Sequence, residues 1–345
     1  MTAGSRKARI EDIASHAGVG LATVDRVLNE RGGVSERTTA RVLDSARQLG
    51  TNRILPTGNR RQLSIEAVFA RTSSSYSERL NQSLQRVTKL VDLPAIIYRT
   101  LIDVDQQDRL IAHLESVAES RDGIIVFAND LPVIASALKS LSTKTVIVTI
   151  STDIPDSGRH CYVGIDNFNA GQSAAKISEA ICRKGGRVLI IEPETNARAQ
   201  IDRMTGFRHF FADRGIADRL SFFNPPAKTA TALTKFLQLL ATEDDLRVVY
   251  SPTNSEFLEK VIEAGRHEEA IRSVAKIVHD LSPHSIENLH SGLIDMVLDS
   301  NPMQQAFKAV DFIARQHGYE TETTIGSIDF QLYTSENLPL TDPMS

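Results

Sequence analysis

The chain has 345 residues, of which 41% are hydrophobic and 24% charged, close to ordinary globular values, so two or three domains with sizeable cores are available. No apolar run approaches the roughly 18 residues of a membrane span, and the polar, basic start from Met1 to Arg9 does not read as a secretory signal. The two cysteines, Cys161 and Cys182, fit neither a zinc spacing nor a disulfide framework, so a cytoplasmic protein with no metal and no cofactor is expected.

The net charge of −4 conceals a split. Residues 1–63 hold eleven Lys/Arg against six Asp/Glu, and the remainder holds 28 against 37. A basic head on an acidic body fits a phosphate-facing module joined to something else. Within the head, Ile10, Ile13, Ala14 and Ala17 fall on one face of a short helix, which Gly18 ends. Leu21, Val24, Val27 and Leu28 repeat the spacing in a second helix. Ser35 is a suitable N-cap for a third, with Thr39, Val42, Ala46 and Leu49 buried and Gly50 as its stop. Two short helices around a glycine-containing turn are a helix-turn-helix pattern. Gly18-Val19-Gly20 looks like the start of a dinucleotide fingerprint, but a helix precedes it where that motif needs a strand.

From residue 64 onward, β-rich runs alternate with amphipathic helices. Strands are predicted at 65–70, 95–99, 123–127, 145–150, 188–192, 248–251, 275–279 and 294–298, with helices such as 106–120, 171–183 and 229–241 between them. That alternation predicts parallel sheets covered by helices on both faces. The length predicts two lobes and a cleft, with ligands beyond the C-terminal ends of the strands. Domains at 1–62 and 63–345 follow.

Ile10-Glu11-Asp12-Ile13-Ala14, Ala17-Gly18-Val19, Thr23 to Asn29, Val34-Ser35 and Thr38 make the head resemble the DNA-binding domain of the lac repressor (LacI/GalR) family. The resemblance continues more weakly in Val163-Gly164-Ile165-Asp166-Asn167, Ala170-Gly171 and Arg203-Met204-Thr205-Gly206-Phe207, which look like the type I periplasmic-binding-protein fold. It implies an all-α helix-turn-helix head and an α/β effector body of two Rossmann-like parallel-sheet lobes, discontinuous in sequence, with crossings near 160, 290 and 325.

The resemblance also assigns roles. Helix 21–29 enters the major groove. Leu21 and Ala22 occupy operator-reading positions, where their apolar side chains can touch thymine methyls only. Arg26 is the polar reader, and Asp25 either accepts from cytosine N4 or, preferably, orients Arg26. Thr23, Asn29 and Thr38 are phosphate contacts. Arg53, Arg60 and Arg61 can grip phosphates from a linker in which Pro56 and Gly58 disfavour the family's hinge helix. In the body, Ser75, Tyr76, Asp130, Ser151, Arg203, Asn254 and Asp280 fall at cleft positions, suited to sugar hydroxyls or a carboxylate. Asp280 and Asn254 can equally be helix caps. Ser300 stands where the family commonly has Gln.

The expected protein is therefore a sequence-specific DNA-binding transcription regulator, a repressor, controlled by a sugar-like small molecule. Its partners are double-stranded operator DNA, the effector and a second copy in a homodimer, with no membrane. A DNA-binding dimer whose body senses nothing is the alternative. A sugar-active enzyme is a lesser one, because P-loop, G-x-S-x-G and H-E-x-x-H motifs are missing.

Overall fold

The computed structural model describes residues 8–51, 61–71, 75–90, 93–182, 185–193, 197–225, 229–253, 256–319 and 328–339. The chain divides into two compact units, Met1–Gln62 and Leu63–Ser345.

The first unit is three helices, α1 (Ile10–Ala17), α2 (Leu21–Leu28) and α3 (Glu36–Gln48). Ile13, Ala14, Ala17, Val24, Val27, Leu28, Val42, Leu43 and Ala46 form its core. Leu21 shares the apolar spacing of α2, yet it is 52% exposed. Gly18 closes α1 at φ 63°, in the left-handed region that a side chain resists, and lets its N–H reach the Ala14 and Ser15 carbonyls. Ser35 caps α3 as expected, its hydroxyl accepting from the Thr38 N–H at 3.3 Å.

The second unit has two sheets. The first runs β2 (Ala95–Asp103), β1 (Leu63–Arg71), β3 (Gly123–Phe127), β4 (Val146–Ile150), β5 (Cys161–Val163), all parallel. The second runs β11 (Gln331–Tyr333), β10 (Met296–Asp299), β9 (Ala275–His279), β8 (Leu246–Tyr250), β6 (Arg187–Ile191), β7 (Leu220–Phe223). It is parallel except for β11, which pairs antiparallel with β10. Burial explains why the central strands read so clearly. Val148 and Ile150 face one layer of lobe 1 and Ile147 the other, and β6 and β8 do the same in lobe 2.

Helices α4 (Ser75–Leu90), α5 (Gln107–Val117) and α6 (Pro132–Leu141) follow β1, β2 and β3 in the first lobe. The second holds α7 (Asn167–Ile181), α8 (Arg198–Asp213), α9 (Thr229–Thr242), α10 (Glu256–Ala264), α11 (Glu269–Arg272) and α12 (Pro283–His290). The chain crosses between lobes after Val163 and again after Asp299. Helix α13 (Pro302–Gln316) then packs its buried face, including Ala306, Ala309, Val310 and Ile313, into the core of lobe 1. The second crossing thus lies about ten residues beyond the expected 290, because Met296–Asp299 completes a lobe-2 strand first. The expected third crossing, near 325, falls outside the described residues.

The pair α7 and α8 sets the geometry of the cleft. A Cβ on Gly171 would run into the Arg203 carbonyl, and one on Gly206 into the Phe168 carbonyl. The two backbones therefore touch, and only glycine permits it.

Candidate functional site

On α2 of the head, Leu21, Ala22, Arg26 and Asn29 are exposed, while Thr23 and Asp25 are half-buried. The Arg26 guanidinium lies over Gly33, within 3.9 Å of where a Cβ would stand. Contrary to the expectation from sequence, the Asp25 carboxylate is partnered by Arg31 and Asn29 rather than by Arg26. It accepts from Arg31 Nη1 at 2.9 Å and from Asn29 Nδ2 at 2.7 Å. Its charge is thus neutralised at the C-terminal end of the helix, where a cation from the following turn reaches it. The Thr38 hydroxyl is shared with Ser35 at 2.9 Å, so its first role is local. Arg61 is exposed, and Arg53 and Arg60 lie outside the described residues.

In the body, Tyr76, Ser151, Arg203 and Asp280 converge from the two lobes. Tyr76, in the first turn of α4, meets the Ser151 hydroxyl at 2.6 Å. Ser151 follows β4 and donates to Gln305 Oε1 at 2.7 Å, and Gln305 Nε2 donates to the Ser300 carbonyl at 2.6 Å. Burial, with the nearby Asp280 carboxylate, pushes the Tyr76 phenol above its ordinary range, so it stays a neutral hydroxyl. Ser75 opens α4 beside it.

Arg203 sits on α8 with 5% of its side chain exposed. Its Nε donates to Asn167 Oδ1 at 2.8 Å. Nη1 donates to the Pro252 carbonyl at 2.9 Å and to Asp280 Oδ2 at 3.0 Å, and Nη2 donates to the Ser300 hydroxyl at 2.8 Å. Four of the five N–H groups of a guanidinium are thereby used within the chain. Asp280 follows β9 and also accepts from the Ser300 N–H at 3.1 Å. It caps no helix, because Ser282 caps α12. Behind this cluster His279 shares a hydrogen bond with the Tyr250 hydroxyl at 3.1 Å. Burial and the Arg203 charge hold its imidazole well below the ordinary range, so it is neutral. At the mouth, Asp130 approaches Arg198 Nη1 of the other lobe at 3.6 Å. Asn254 lies outside the described residues.

Sequence reading missed Arg79 and Asp299. Arg79, on α4, donates through Nη1 to Asp299 Oδ1 at 2.6 Å and through Nη2 to Oδ2 at 3.3 Å. The residues stand 220 positions apart, so only the topology joins them. A separate cavity of about 580 Å³ beside the first crossing is lined by Asp153, Tyr162, Asn167, Arg198, Asp202 and Phe312 among others, and by none of the seven cleft residues chosen from sequence. Among the described residues, no group of three or more His, Cys, Asp or Glu is placed to hold a metal. No described helix is long and apolar enough to cross a membrane.

With both units described, their relatives are informative. The profile of the periplasmic binding protein domain matches residues 65–320, and that of bacterial regulatory proteins of the lacI family matches residues 9–50. The chain belongs to the periplasmic binding protein domain family and carries a lacI-family head. HTH-type transcriptional regulator RegA of Clostridium acetobutylicum is 30% identical over 173 residues, 48% of this chain and 50% of that protein. The RegA of Clostridium saccharobutylicum is 26% identical over 215 residues, 60% of this chain and 62% of that protein. The sucrose operon repressor of Streptococcus mutans is 27% identical over 61% of this chain and 63% of its own length. The chain thus spans between half and just under two thirds of these curated relatives. Among solved structures, an ABC transporter solute-binding protein from Burkholderia graminis in complex with D-arabinose superposes with a TM-score of 0.68 at 17% identity, over 80% of this chain and 96% of that one. GanP, a glucose-galactose binding protein from Geobacillus stearothermophilus, superposes at 0.65 and 20% identity, over 81% of this chain and all of that one. These likenesses establish the fold of the body: two α/β lobes around a cleft.

Proposed function

We propose that the protein is a sequence-specific DNA-binding transcription regulator, a repressor, whose body binds a sugar-like effector and dimerises. The observation that carries this reading is the pairing of a lacI-family head with a body whose polar side chains converge at the C-terminal ends of strands in both lobes. Arg26 on the exposed face of α2 supplies the base-reading cation, with Leu21 and Ala22 beside it. Tyr76, Asp130 and Ser151 from lobe 1 and Arg203 and Asp280 from lobe 2 form the effector cleft, with Ser75 and Asn254 proposed as further effector contacts.

Closure on a ligand that touches both lobes changes how paired bodies present their heads, and coupling of this kind is typically about 1–3 kcal/mol. Dimerisation is supported by the edge strand β2, which exposes Ile96, Tyr98 and Leu101 at 41%, 42% and 40%. Such a regulator works in the cytoplasm, and its relatives are regulators and binding proteins rather than enzymes.

One observation favours the non-sensing alternative: the cleft side chains already satisfy one another. A thermal-shift screen of the full chain with D-arabinose, D-glucose, D-galactose, sucrose and their sugar acids separates the two. A rise in melting temperature with one of them supports the sensor, and no shift with any supports a body that only dimerises.

A further inference from the structure

The cleft contains a buried ion pair that joins the lobes and that the effector reading does not use. Asp299 ends β10 in lobe 2 with 2% of its side chain exposed, and Arg79 reaches it from α4 in lobe 1 with 5% exposed. Lobe 2 prepares this carboxylate with its own backbone. Oδ1 accepts from the Leu281 N–H at 2.9 Å and Oδ2 from the Asn301 N–H at 3.1 Å. The Leu281 carbonyl adds a further acceptor for Arg79 Nη1, at 2.9 Å. Lobe 2 therefore presents a socket of a carboxylate and a carbonyl, held in place whether or not the lobes touch, and lobe 1 supplies the guanidinium that fills it.

We propose that the Arg79–Asp299 pair is a bolt that favours the closed arrangement of the two lobes. Arg79 is a positioning residue, acting on the cleft through Asp299. In an open arrangement the Asp299 carboxylate and the Leu281 carbonyl lose the guanidinium that they are placed to receive, so the intact bolt favours the closed one. Tyr76, one turn before Arg79 on the same helix, is carried into the cleft with it. The bolt is a contact within the chain and stands whether or not the effector is a sugar.

The Ala199 amide reads closure directly. It lies in the first turn of α8, where an N–H has no partner within the helix, and it donates across the lobes to the Thr152 hydroxyl at 3.3 Å. Hydrogen exchange of the full, ligand-free chain is compared for wild type, Arg79→Met, Arg79→Lys, Asp299→Asn and the double variant Arg79→Met/Asp299→Asn. The bolt predicts exchange at Ala199 about tenfold faster in Arg79→Met and in Asp299→Asn, and no further acceleration in the double variant. Arg79→Lys keeps the charge and retains part of the protection. The strand β6 amides stay protected throughout. Wild-type exchange at Ala199 in Arg79→Met or Asp299→Asn overturns the proposal. So does loss of β6 protection in every variant including Arg79→Lys, because the pair would then support the whole fold rather than lobe closure.

Discussion

Ser151 and Asp280 hold matching places in the two lobes. Sheet 1 runs β2-β1-β3-β4-β5, and sheet 2, read from its other edge, runs β7-β6-β8-β9-β10 before β11 is added. Ser151 follows β4 and Asp280 follows β9, which are the fourth strands in the two orders. Both have left-handed backbones, with φ of 65° and 66°. Such a conformation costs a non-glycine residue about 1–3 kcal/mol and clusters at functional sites. Each lobe thus turns one polar residue into the cleft by the same backbone device.

The Asp280 carboxylate compensates the buried Arg203 guanidinium. Asn tolerates a left-handed backbone, so Asp280→Asn changes the charge without new backbone strain. The expected loss is about 3–5 kcal/mol of unfolding free energy, read from urea denaturation. A loss under about 1 kcal/mol would mean that Arg203 is compensated elsewhere.

Gly206→Ala tests the contact of α7 with α8. Its methyl group meets the Phe168 carbonyl, which is backbone and cannot rotate away. We expect a loss of about 3 kcal/mol by denaturation. Exposed Gly292, with open space around it, is a poor guide to this effect because its φ of 68° adds strain of its own.

Lys276 gives a pH signature. Its ammonium is buried beneath the carbonyls of Ile271 and Val274, and burial lowers its pKa from 10.5 to about 8. Between those values the unfolded chain holds more protons than the folded one, so this residue's contribution to stability rises with pH from about 8 to about 10.5 and is flat below that window. The difference in unfolding free energy, wild type minus Lys276→Met, should therefore increase over that interval by an amount on the order of a few kcal/mol. A flat difference would show that the lysine is not desolvated.

The head allows a separation of reading from gripping. Arg26→Ala should relax base preference by about 1–3 kcal/mol on duplexes that vary at one position. Asp25→Ala releases Arg31 from its carboxylate, and should strengthen binding to all sequences while steepening the salt dependence by about one unit. If Arg26→Ala weakened selected and random DNA equally, α2 would not be the reading helix.

Much of this architecture is visible in the sequence because its determinants are local. The runs of Val, Ile and Leu in β1, β3, β4, β6, β8 and β9 are buried on both faces and bounded by turns. The short strands carry too little signal: Cys161–Val163, Leu220–Phe223 and Gln331–Tyr333 have three or four residues and lie at or near sheet edges. Arg203 is legible through the resemblance of Arg203-Met204-Thr205-Gly206-Phe207 to the periplasmic-binding-protein fold. Arg79 is not, because Ser77-Glu78-Arg79 reads as the polar face of an ordinary helix until Asp299 is brought to it. The Asp25–Arg31 contact was hidden for a similar reason. Arg31 lies beyond the helix, and a turn, not a helical repeat, returns it.

The most direct test of the central claim is a fluorescence-anisotropy titration of the full chain. The duplex is selected from a random pool by the protein itself, and the titration is run with and without the sugar that raises its melting temperature. Effector control of DNA binding predicts a change in affinity of about 5–150-fold, in the presence of ligand only, and none with a sugar that leaves melting unchanged. Identical affinities with and without a sugar that demonstrably binds the body would contradict it.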